Sequence, residues 1–225
     1  MDFQEKLKEY ILSLGVSDVG FCEVGDFDNK NMKYAISIIV RLSNEVISEI
    51  EDAPTHTYFH HYRTVNAFID STLLKIGMFL QNNGYRYIPI GASQSINKDG
   101  WNYQARYSSR KVAVLSNLGS IGKNNMFIHR DFGPAVRLGT LFCDCELKTD
   151  RDNDFKFKCE NCNACVEKCP AKAIQGNAWT HDSKREDIID VKKCSDYMKS
   201  EFKMIGRGAV CGICIKNCPL FTCSK

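Results

Sequence analysis

The chain has 225 residues, of which 44% are apolar and 25% are charged, and its formal net charge is +3. This composition is typical of a globular protein with one or two domains, and it excludes a disordered or fibrous chain. No apolar run approaches the roughly 18 residues that a membrane-spanning helix needs. The charged amino terminus MDFQEKLKEY lacks the apolar stretch of a secretory signal. We therefore expect a cytoplasmic protein with no membrane partner.

Hydrophobic periodicity predicts helices and strands that alternate along the first two thirds of the chain. Apolar residues at helical spacing predict helices at residues 2–14, 63–82 and 107–116. Short stretches rich in β-branched residues predict strands at residues 16–24, 35–42, 85–91, 126–129 and 135–143. Residues 92–105 are predicted to form an irregular loop. This alternation favours an α/β domain over residues 1–150, and the polar stretch KTDRDNDFK indicates a boundary to a second domain over residues 151–225.

The number and distribution of cysteines are the abnormal features of the composition. Twelve cysteines are present, and eleven of them lie between Cys143 and Cys223. A secreted disulfide scaffold spreads its cysteines through a short chain, whereas these crowd the last third of a chain without an export signal. In a reducing cytosol, this distribution indicates metal binding rather than disulfide bonds.

The first cysteine run, CENCNACVEKCP, has the C-x2-C-x2-C-x3-C-P spacing of bacterial ferredoxins. Three closely spaced thiolates can surround one face of an iron–sulfur cubane. The fourth cysteine is displaced and followed by Pro170, so it turns toward a second cluster. The four cysteines of this run are Cys159, Cys162, Cys165 and Cys169.

The second run, CGICIKNCP, supplies three more cysteines, but Gly208 stands where the first cysteine of the ferredoxin motif belongs. Two clusters with four ligands each need eight thiolates, and Cys194 in KKCSDYM is the candidate for the eighth. We therefore predict two [4Fe–4S] clusters. One is assigned to Cys159, Cys162, Cys165 and Cys218, and the other to Cys169, Cys194, Cys211 and Cys214.

Four cysteines remain outside this assignment. Cys143 and Cys145 form a C-x-C pair, which a strand would place on one face, and Cys22 lies in a predicted strand. We therefore expect these three to be buried structural residues. Cys223 is expected to lie in a solvent-facing tail. It is the alternative eighth ligand if Cys194 does not serve.

With Cys194 in place, the chain resembles the epoxyqueuosine reductases and, more distantly, the corrinoid-dependent reductive dehalogenases. In the first family, runs similar to CENCNACVEKCP, KKCSDYM and CGICIKNCP follow one another in this order. The segment VLSNLGSIGKNNMFIHRDFGPAVRLGTLFCD is similar to that family's A-x-x-A-G-L-G-W-x-G-K-x-x-L-x-I…G-S-x-x-x-L-G-E stretch. The similarity covers most of residues 105–220.

The resemblance implies a flavin-reductase-like α/β domain that binds cobalamin as a base-off corrinoid, followed by a ferredoxin-like domain with two [4Fe–4S] clusters. It implies that electrons pass from reduced ferredoxin or flavodoxin through the clusters to cobalt. In the loop LGSIGK, it implies backbone and polar contacts to the corrinoid, although a tight turn between a helix and a strand explains the same glycines. The residues so assigned are Gly119, Ser120, Gly122, Lys123 and Asn124.

The same resemblance implies an acid that donates a proton to the reduced substrate. The family's catalytic aspartate aligns without a gap on Tyr103, and a tyrosine donates the proton in the related dehalogenases. A phenol with a pKa near 10 is protonated at neutral pH, so Tyr103 is the predicted proton donor. Arg106 is expected to stabilise the resulting phenolate. Asp99 and Tyr107 are the alternative donors.

Three functions are compatible with these features. The first is a cobalamin-dependent iron–sulfur reductase that acts on an unidentified, small-molecule substrate. The second is a ferredoxin-like electron-transfer or cofactor-reactivating protein without its own substrate. The third, an epoxyqueuosine reductase acting on tRNA, is disfavoured because Tyr103 replaces the aspartate. Two clusters also lower the formal charge by about 4, which leaves no strong basic field for nucleic acid.

Overall fold

The computed structural model describes residues 2–98, 100, 102–152, 155 and 159–221. Asp99 and Cys223, for which alternative roles were predicted, lie outside the described residues. Among the helices that are described, none is long and apolar enough to span a membrane.

The helices and strands mostly follow the predicted order. The helices are α1 (Phe3–Ser13), α2 (Asn44–Ser48), α3 (His56–Asn82), α4 (Ser109–Leu115), α5 (Ala164–Lys168), α6 (Arg185–Ile188), α7 (Val191–Glu201) and α8 (Ile213–Lys216). The strands are β1 (Asp18–Glu23), β2 (Tyr34–Arg41), β3 (Tyr87–Ile90), β4 (Gly119–Ile121), β5 (Phe127–His129) and β6 (Val136–Cys143). All five predicted strands are confirmed, and the described residues of the predicted loop 92–105 contain neither helix nor strand.

The main sheet has the strand order β1-β2-β6-β3. Strands β1 and β2 pair antiparallel from Asp18 opposite Ile39 to Glu23 opposite Tyr34. Strands β3 and β6 are also antiparallel. Residues 35–40 of β2 are buried without interruption, so both faces of the central strand are covered. This mixed α/β arrangement agrees with the class predicted from the alternating elements.

Helix α3 begins at His56, earlier than the predicted start at residue 63. The hydroxyl oxygen of Thr55 accepts a hydrogen bond from the backbone N–H of Tyr58 at 3.0 Å. Thr55 thus supplies the capping oxygen for the first turn, and it follows Pro54, which is favoured at a helix boundary. The prediction relied on apolar periodicity alone. It therefore missed residues 56–62, whose exposed side carries polar residues such as His56 and His60.

The chain divides into two compact units, and neither is continuous along the sequence. The first comprises residues 1–41, 65–118 and 137–154, and the second comprises residues 42–64, 119–136 and 155–225. The predicted boundary between residues 150 and 151, as a division between corrinoid-binding and cluster-binding domains, stays a prediction. The second unit includes all eight cysteines assigned to clusters, together with the segment 119–136.

Within the second unit, the segment LGSIGK is part of a β-hairpin rather than only a turn. Strand β4 pairs antiparallel with β5, from Gly119 opposite His129 to Ile121 opposite Phe127. The turn lies further along, where the N–H of Gly122 donates to the carbonyl of Met126 at 2.9 Å. A Cβ atom at Gly119 would lie 2.0 Å from the carbonyl oxygen of Ile128. Glycine at position 119 is thus explained by the close approach of β5.

Candidate iron–sulfur centres

The first cysteine run is built around the short helix α5. The N–H of Cys162 donates to the carbonyl of Cys159 at 3.2 Å, which closes a turn before the helix. Cys165 lies in α5 and is buried. Cys169 follows the helix with an extended backbone, as expected for a residue that precedes a proline. The spacing thus separates Cys169 from the three cysteines before it.

The second run is built around α8, which carries Cys214. The helix follows Gly212, whose backbone is left-handed with φ of 82°. A Cβ atom at this glycine would lie 2.6 Å from Ile50 Cδ1 and 2.9 Å from Tyr58 Cε1. Gly212 therefore permits a left-handed turn and leaves room for the side chains of Ile50 and Tyr58. Cys211 and Cys214 lie before and after this turn.

Cys194 is presented by helix α7. The carboxylate of Asp190 accepts a hydrogen bond from the N–H of Lys193 at 2.9 Å and caps the helix. Cys194 is half-buried and packs against a buried cluster that includes Cys165 and Cys169. A cysteine distant in sequence from both runs is therefore brought to them by a capped helix.

Electrostatic coupling among the thiols separates them into two groups. Burial raises the pKa of Cys165 to about 11, and nearby thiolates raise it further: Cys159, Cys218 and Cys162. Burial also raises the pKa of Cys218 to about 11, with further increases from the charges of Cys159 and Cys162. Cys218 is therefore a neighbour of the first three cysteines of the other run.

The second group is coupled in the same way. Burial raises the pKa of Cys194 to about 11, and the charges of Cys211 and Cys169 raise it further. Burial raises the pKa of Cys214 well above its usual value, with additional contributions from the charges of neighbouring thiolates: Cys211, Cys194, Cys165 and Cys169. Cys165 is a member of the first group, so the two groups lie close to each other. In agreement, α5 packs against α8.

The chemistry of this donor set fits two [4Fe–4S] clusters. Thiolates are the ligands that iron–sulfur clusters require, and each cluster takes four. In the absence of a cation, crowding and burial disfavour ionisation of these thiols, as the raised pKa values of Cys165 and Cys214 show. A cationic iron–sulfide core removes this penalty, because it neutralises several thiolates at once.

Backbone amides also point at several of the sulfur atoms. The N–H of Ala173 donates to Cys169 Sγ at 3.5 Å. The N–H of Ile213 donates to Cys211 and thereby opposes the rise in its pKa that burial causes. Hydrogen bonds to cluster sulfurs favour the more negative, reduced state and so contribute to the reduction potential. The local fold therefore supplies polar groups as well as ligands.

Two of the residues predicted to contact a corrinoid have partners in the cluster-bearing segments instead. Lys123 is buried, and its Nζ donates to the carbonyl of Glu160 at 2.9 Å and to Asn163 Oδ1 at 3.1 Å. Asn124 is also buried, and its Nδ2 donates to the carbonyl of Cys214 at 3.3 Å. Both side chains are therefore engaged by protein atoms, and their predicted contact with a corrinoid stays a prediction. This link was not predictable from the sequence, because the spacing between residues 123 and 160 is not a motif.

The other three residues of that predicted set lie in the same hairpin. Gly119 and Ser120 are half-buried and Gly122 is buried. The close approach at Gly119 is made by the backbone of Ile128. A role for these three residues toward a corrinoid stays a prediction.

The predicted proton donor Tyr103 is half-buried, with φ of 51°, in the irregular loop of the first unit. The alternative donor Tyr107 gives its hydroxyl proton to Asp26 Oδ1 at 2.6 Å. Burial, followed by this hydrogen bond to Asp26, raises the pKa of Tyr107 far above its usual value. Tyr107 is therefore poorly suited to release a proton to a substrate.

The expectation for Arg106 is corrected by the structure. Its guanidinium forms two hydrogen bonds of 3.0 Å with the carboxylate of Asp28 and lies over the ring of Phe27, 5.0 Å from the ring centroid. A bidentate ion pair fixes the orientation of the guanidinium. Arg106 thus stabilises the segment 26–28 rather than a phenolate at Tyr103.

The structural role expected for three further cysteines is confirmed. Cys22, Cys143 and Cys145 are buried, with exposed fractions of 1%, 0% and 2%. Burial raises the pKa of Cys22 to about 11 and raises that of Cys143 further above its usual value. Thiols that stay protonated in an apolar core are packing residues.

Comparison with known proteins shows what the cysteine-rich part of the chain is similar to. Residues 158–220 match the family model of a 4Fe–4S double cluster binding domain. This match spans both runs and Cys194. It agrees with the prediction of two clusters.

Sequence relatives of the larger region are reductases of two kinds. The tetrachloroethene reductive dehalogenase of Desulfitobacterium hafniense is 27% identical over 158 residues, which cover 64% of this chain and 25% of that protein. The epoxyqueuosine reductase of Pseudomonas aeruginosa is 32% identical over 94 residues, which cover 42% of this chain and 23% of that protein. The chain thus spans about a quarter of the length of these two relatives. The resemblance to both families is confirmed.

Solved structures of the same two kinds share the fold. A catabolic reductive dehalogenase superposes with a TM-score of 0.75 and 19% identity, over 96% of this chain and 31% of that chain. Epoxyqueuosine reductase from Bacillus subtilis superposes with a TM-score of 0.66 and 19% identity, over 97% of this chain and 65% of that chain. The mixed α/β architecture is therefore one that both families use.

Proposed function

We propose that this chain is an iron–sulfur reductase in which two [4Fe–4S] clusters pass electrons, one at a time, to a corrinoid. The observation that carries the proposal is the division of eight thiols into two adjacent groups within a segment that matches a double cluster binding domain. Two adjacent clusters conduct electrons rapidly, which a buried structural metal site does not need to do. Relatives of both kinds are reductases.

The proposed ligand sets cross between the two runs. Cys159, Cys162, Cys165 and Cys218 hold one cluster, and Cys169, Cys194, Cys211 and Cys214 hold the other. The electrostatic coupling of Cys218 to Cys159, and of Cys194 to Cys169, supports this assignment. In each run the cysteine before the proline leaves its own group for the other. The crossing keeps the clusters close together, as in two-cluster ferredoxins.

A bound corrinoid supplies a strongly reducing metal centre for the substrate. In the proposal, the chain's own part is to hold the clusters, to receive electrons from reduced ferredoxin or flavodoxin, and to provide a proton. We propose Tyr103 as the proton donor to a small-molecule substrate, because it aligns with the family's catalytic acid and the alternative donor Tyr107 is bonded to Asp26. A cytoplasmic location is part of the same proposal.

One observation favours the second candidate, an electron-transfer protein without its own substrate. Lys123 and Asn124, predicted to contact a corrinoid, bond instead to the two cysteine runs. This alternative needs only the clusters and a partner that accepts electrons. The third candidate, reduction of epoxyqueuosine in tRNA, rests on the name of one group of relatives and conflicts with Tyr103 at the position of the family's aspartate.

Anaerobic reconstitution with iron and sulfide, followed by hydroxocobalamin and gel filtration, tests the proposal. We expect about eight iron and eight sulfide per chain, together with retained cobalamin whose absorption spectrum changes on binding. Eight iron without retained cobalamin would favour the electron-transfer protein. Iron near four per chain would contradict the crossed ligand sets. Turnover of an epoxyqueuosine-containing tRNA stem loop would establish the third candidate.

A further inference from the structure

The side chain of Lys123 is a buried cation whose hydrogen-bond partners are neutral. Its side chain lies at the turn between β4 and β5, and the residue is only 5% exposed. Its Nζ donates to the carbonyl oxygen of Glu160 and to the amide oxygen of Asn163. Over residues 2–98, 100, 102–152, 155 and 159–221, no carboxylate lies within ion-pair distance of this Nζ. A buried ammonium without a countercharge is costly, so a negative group is needed nearby.

The position of both acceptors indicates where that negative group lies. Glu160 follows Cys159 directly, and Asn163 lies between Cys162 and Cys165, so both belong to the loop that carries three cysteines. The backbone N–H of Lys123 also donates to Cys159. The lysine therefore faces a cluster ligand with both its backbone and its side chain.

A cluster at these cysteines has the charge that the lysine lacks. Four thiolates around an oxidised [4Fe–4S] core carry a net charge of about −2, and reduction by one electron makes it about −3. A fixed positive charge in a poorly solvated site attracts the reduced state more strongly than the oxidised state. The charge therefore favours uptake of the electron.

We propose that the ammonium group of Lys123 is the built-in counter-cation of the cluster held by Cys159, Cys162, Cys165 and Cys218, and that it raises the reduction potential of this cluster. The inference rests on the proposed function, since it requires the cluster. Lys123 is not a ligand of the cluster; its positive charge acts on the cluster from beside the ligand loop. The electron that reduces the cluster comes from the external low-potential donor.

Lys123→Gln removes the charge and keeps a polar amide. Lys168→Gln is the matched control, because Lys168 is exposed beside Cys169 and its charge is screened by water. Both variants and the unaltered protein are reconstituted anaerobically, assayed for iron and sulfide, and titrated with titanium(III) citrate while cluster absorption and electron paramagnetic resonance are recorded.

For Lys123→Gln we expect full loading and a reduction equilibrium at least tenfold less favourable for one cluster, which is about 59 mV for one electron. The other cluster and both clusters of Lys168→Gln should stay within about twofold of the unaltered protein, or about 18 mV. Full loading with neither potential changed in Lys123→Gln overturns the inference and leaves the proposed function intact. Absence of iron from the unaltered protein contradicts the proposed function itself.

Loss of one cluster from Lys123→Gln is resolved by Lys123→Arg, which keeps the positive charge. Retention of both clusters and of the original potential in Lys123→Arg supports the counter-cation. Loss of the same cluster in both variants shows that the shape of the lysine, and not its charge, is required, and it overturns the inference.

Discussion

The side-chain amide of Asn124 donates a hydrogen bond to the carbonyl oxygen of Cys214, so the β4–β5 turn is joined directly to the second cysteine run. The neighbouring residue Lys123 is joined to the first run. Two adjacent residues thus contact both cysteine runs that we propose to bind the clusters. The effect of removing these hydrogen bonds on stability and cluster content can be measured without knowledge of the substrate.

Asn124→Ala is expected to destabilise the second unit by about 1–3 kcal/mol. The variant leaves the part-buried carbonyl of Cys214 and the part-buried N–H of Met126, which donates to Asn124 Oδ1 at 3.1 Å, without these partners. The denaturant midpoint of the reconstituted protein measures this loss. Asn83→Ala is the control, since Asn83 also donates to a carbonyl but is exposed. Equal midpoints for Asn124→Ala and Asn83→Ala would contradict the structural role of Asn124.

Cys194→Ser is expected to reduce the iron content from about eight to about four per chain, because one cluster loses a ligand while the other keeps all four. Iron and sulfide analysis after anaerobic reconstitution measures the change. Cys22→Ala is the control and should retain both clusters, since Cys22 is a packing residue of the first unit. If Cys194→Ser kept eight iron, Cys223 would become the better candidate for the eighth ligand.

Gly119→Val is expected to disrupt the β4–β5 hairpin whether or not a corrinoid binds. Its Cβ atom would lie 2.0 Å from the carbonyl oxygen of Ile128, and relief of this clash requires movement of the backbone. We expect a loss of about 3 kcal/mol in stability, visible as a lower thermal unfolding temperature of the protein without cobalamin. Ser120→Ala, at the half-exposed next residue, should leave that temperature nearly unchanged. An unchanged temperature for Gly119→Val would argue against the hairpin.

Tyr103→Phe is expected to load both clusters and cobalamin normally, while turnover of a confirmed substrate falls by about a hundredfold or more. The change removes only the hydroxyl that would donate the proton. Cluster content, cobalamin retention and turnover are measured on the same preparation. Turnover equal to that of the unaltered protein would remove Tyr103 from the mechanism. Tyr107→Phe, which breaks the bond to Asp26, should lower stability more than turnover.

Stability is expected to fall as the pH rises from about 9 toward 11. Burial raises the pKa of Cys22 from 9.0 to about 11, so the folded state retains this proton more strongly than the unfolded state. The stabilisation is fully present below pH 9 and is lost as the pH passes through the folded pKa. The buried thiol of Cys143 and the phenol of Tyr107 contribute in the same direction. Denaturant midpoints at pH 8 and pH 10.5 should therefore differ less in Cys22→Ala than in the unaltered protein; an equal difference would exclude Cys22 as a contributor.

The elements that were predicted correctly have local causes. Residues 35–40 form a continuous apolar run rich in β-branched residues, which is sufficient to predict a buried strand. The double cluster binding segment was recognisable because a cubane requires closely spaced thiolates, and Cys159, Cys162 and Cys165 have the required spacing. The assignment of individual ligands, including Cys194 from counting, stays a prediction.

The elements that were missed depend on contacts between distant residues. Strand β4 has only three residues, and its pairing with β5 decides its conformation. The partners of Lys123 lie in the cysteine run, and nothing in the neighbouring sequence specifies them. Arg106 is bound by Asp28, 78 residues earlier in the chain, so its position three residues after Tyr103 did not predict its partner. Local patterns thus predicted the cysteine-rich cluster domain but not the polar contacts around its cysteines.

The hairpin of β4 and β5 precedes all eight assigned cysteines in the chain. During synthesis on the ribosome, it therefore emerges before any cluster ligand does. Its own backbone pairing is local, so it can form early, and Lys123 and Asn124 are then ready to receive the two cysteine runs as each appears. The order of the sequence thus places the hairpin ahead of every cysteine that we propose as a cluster ligand.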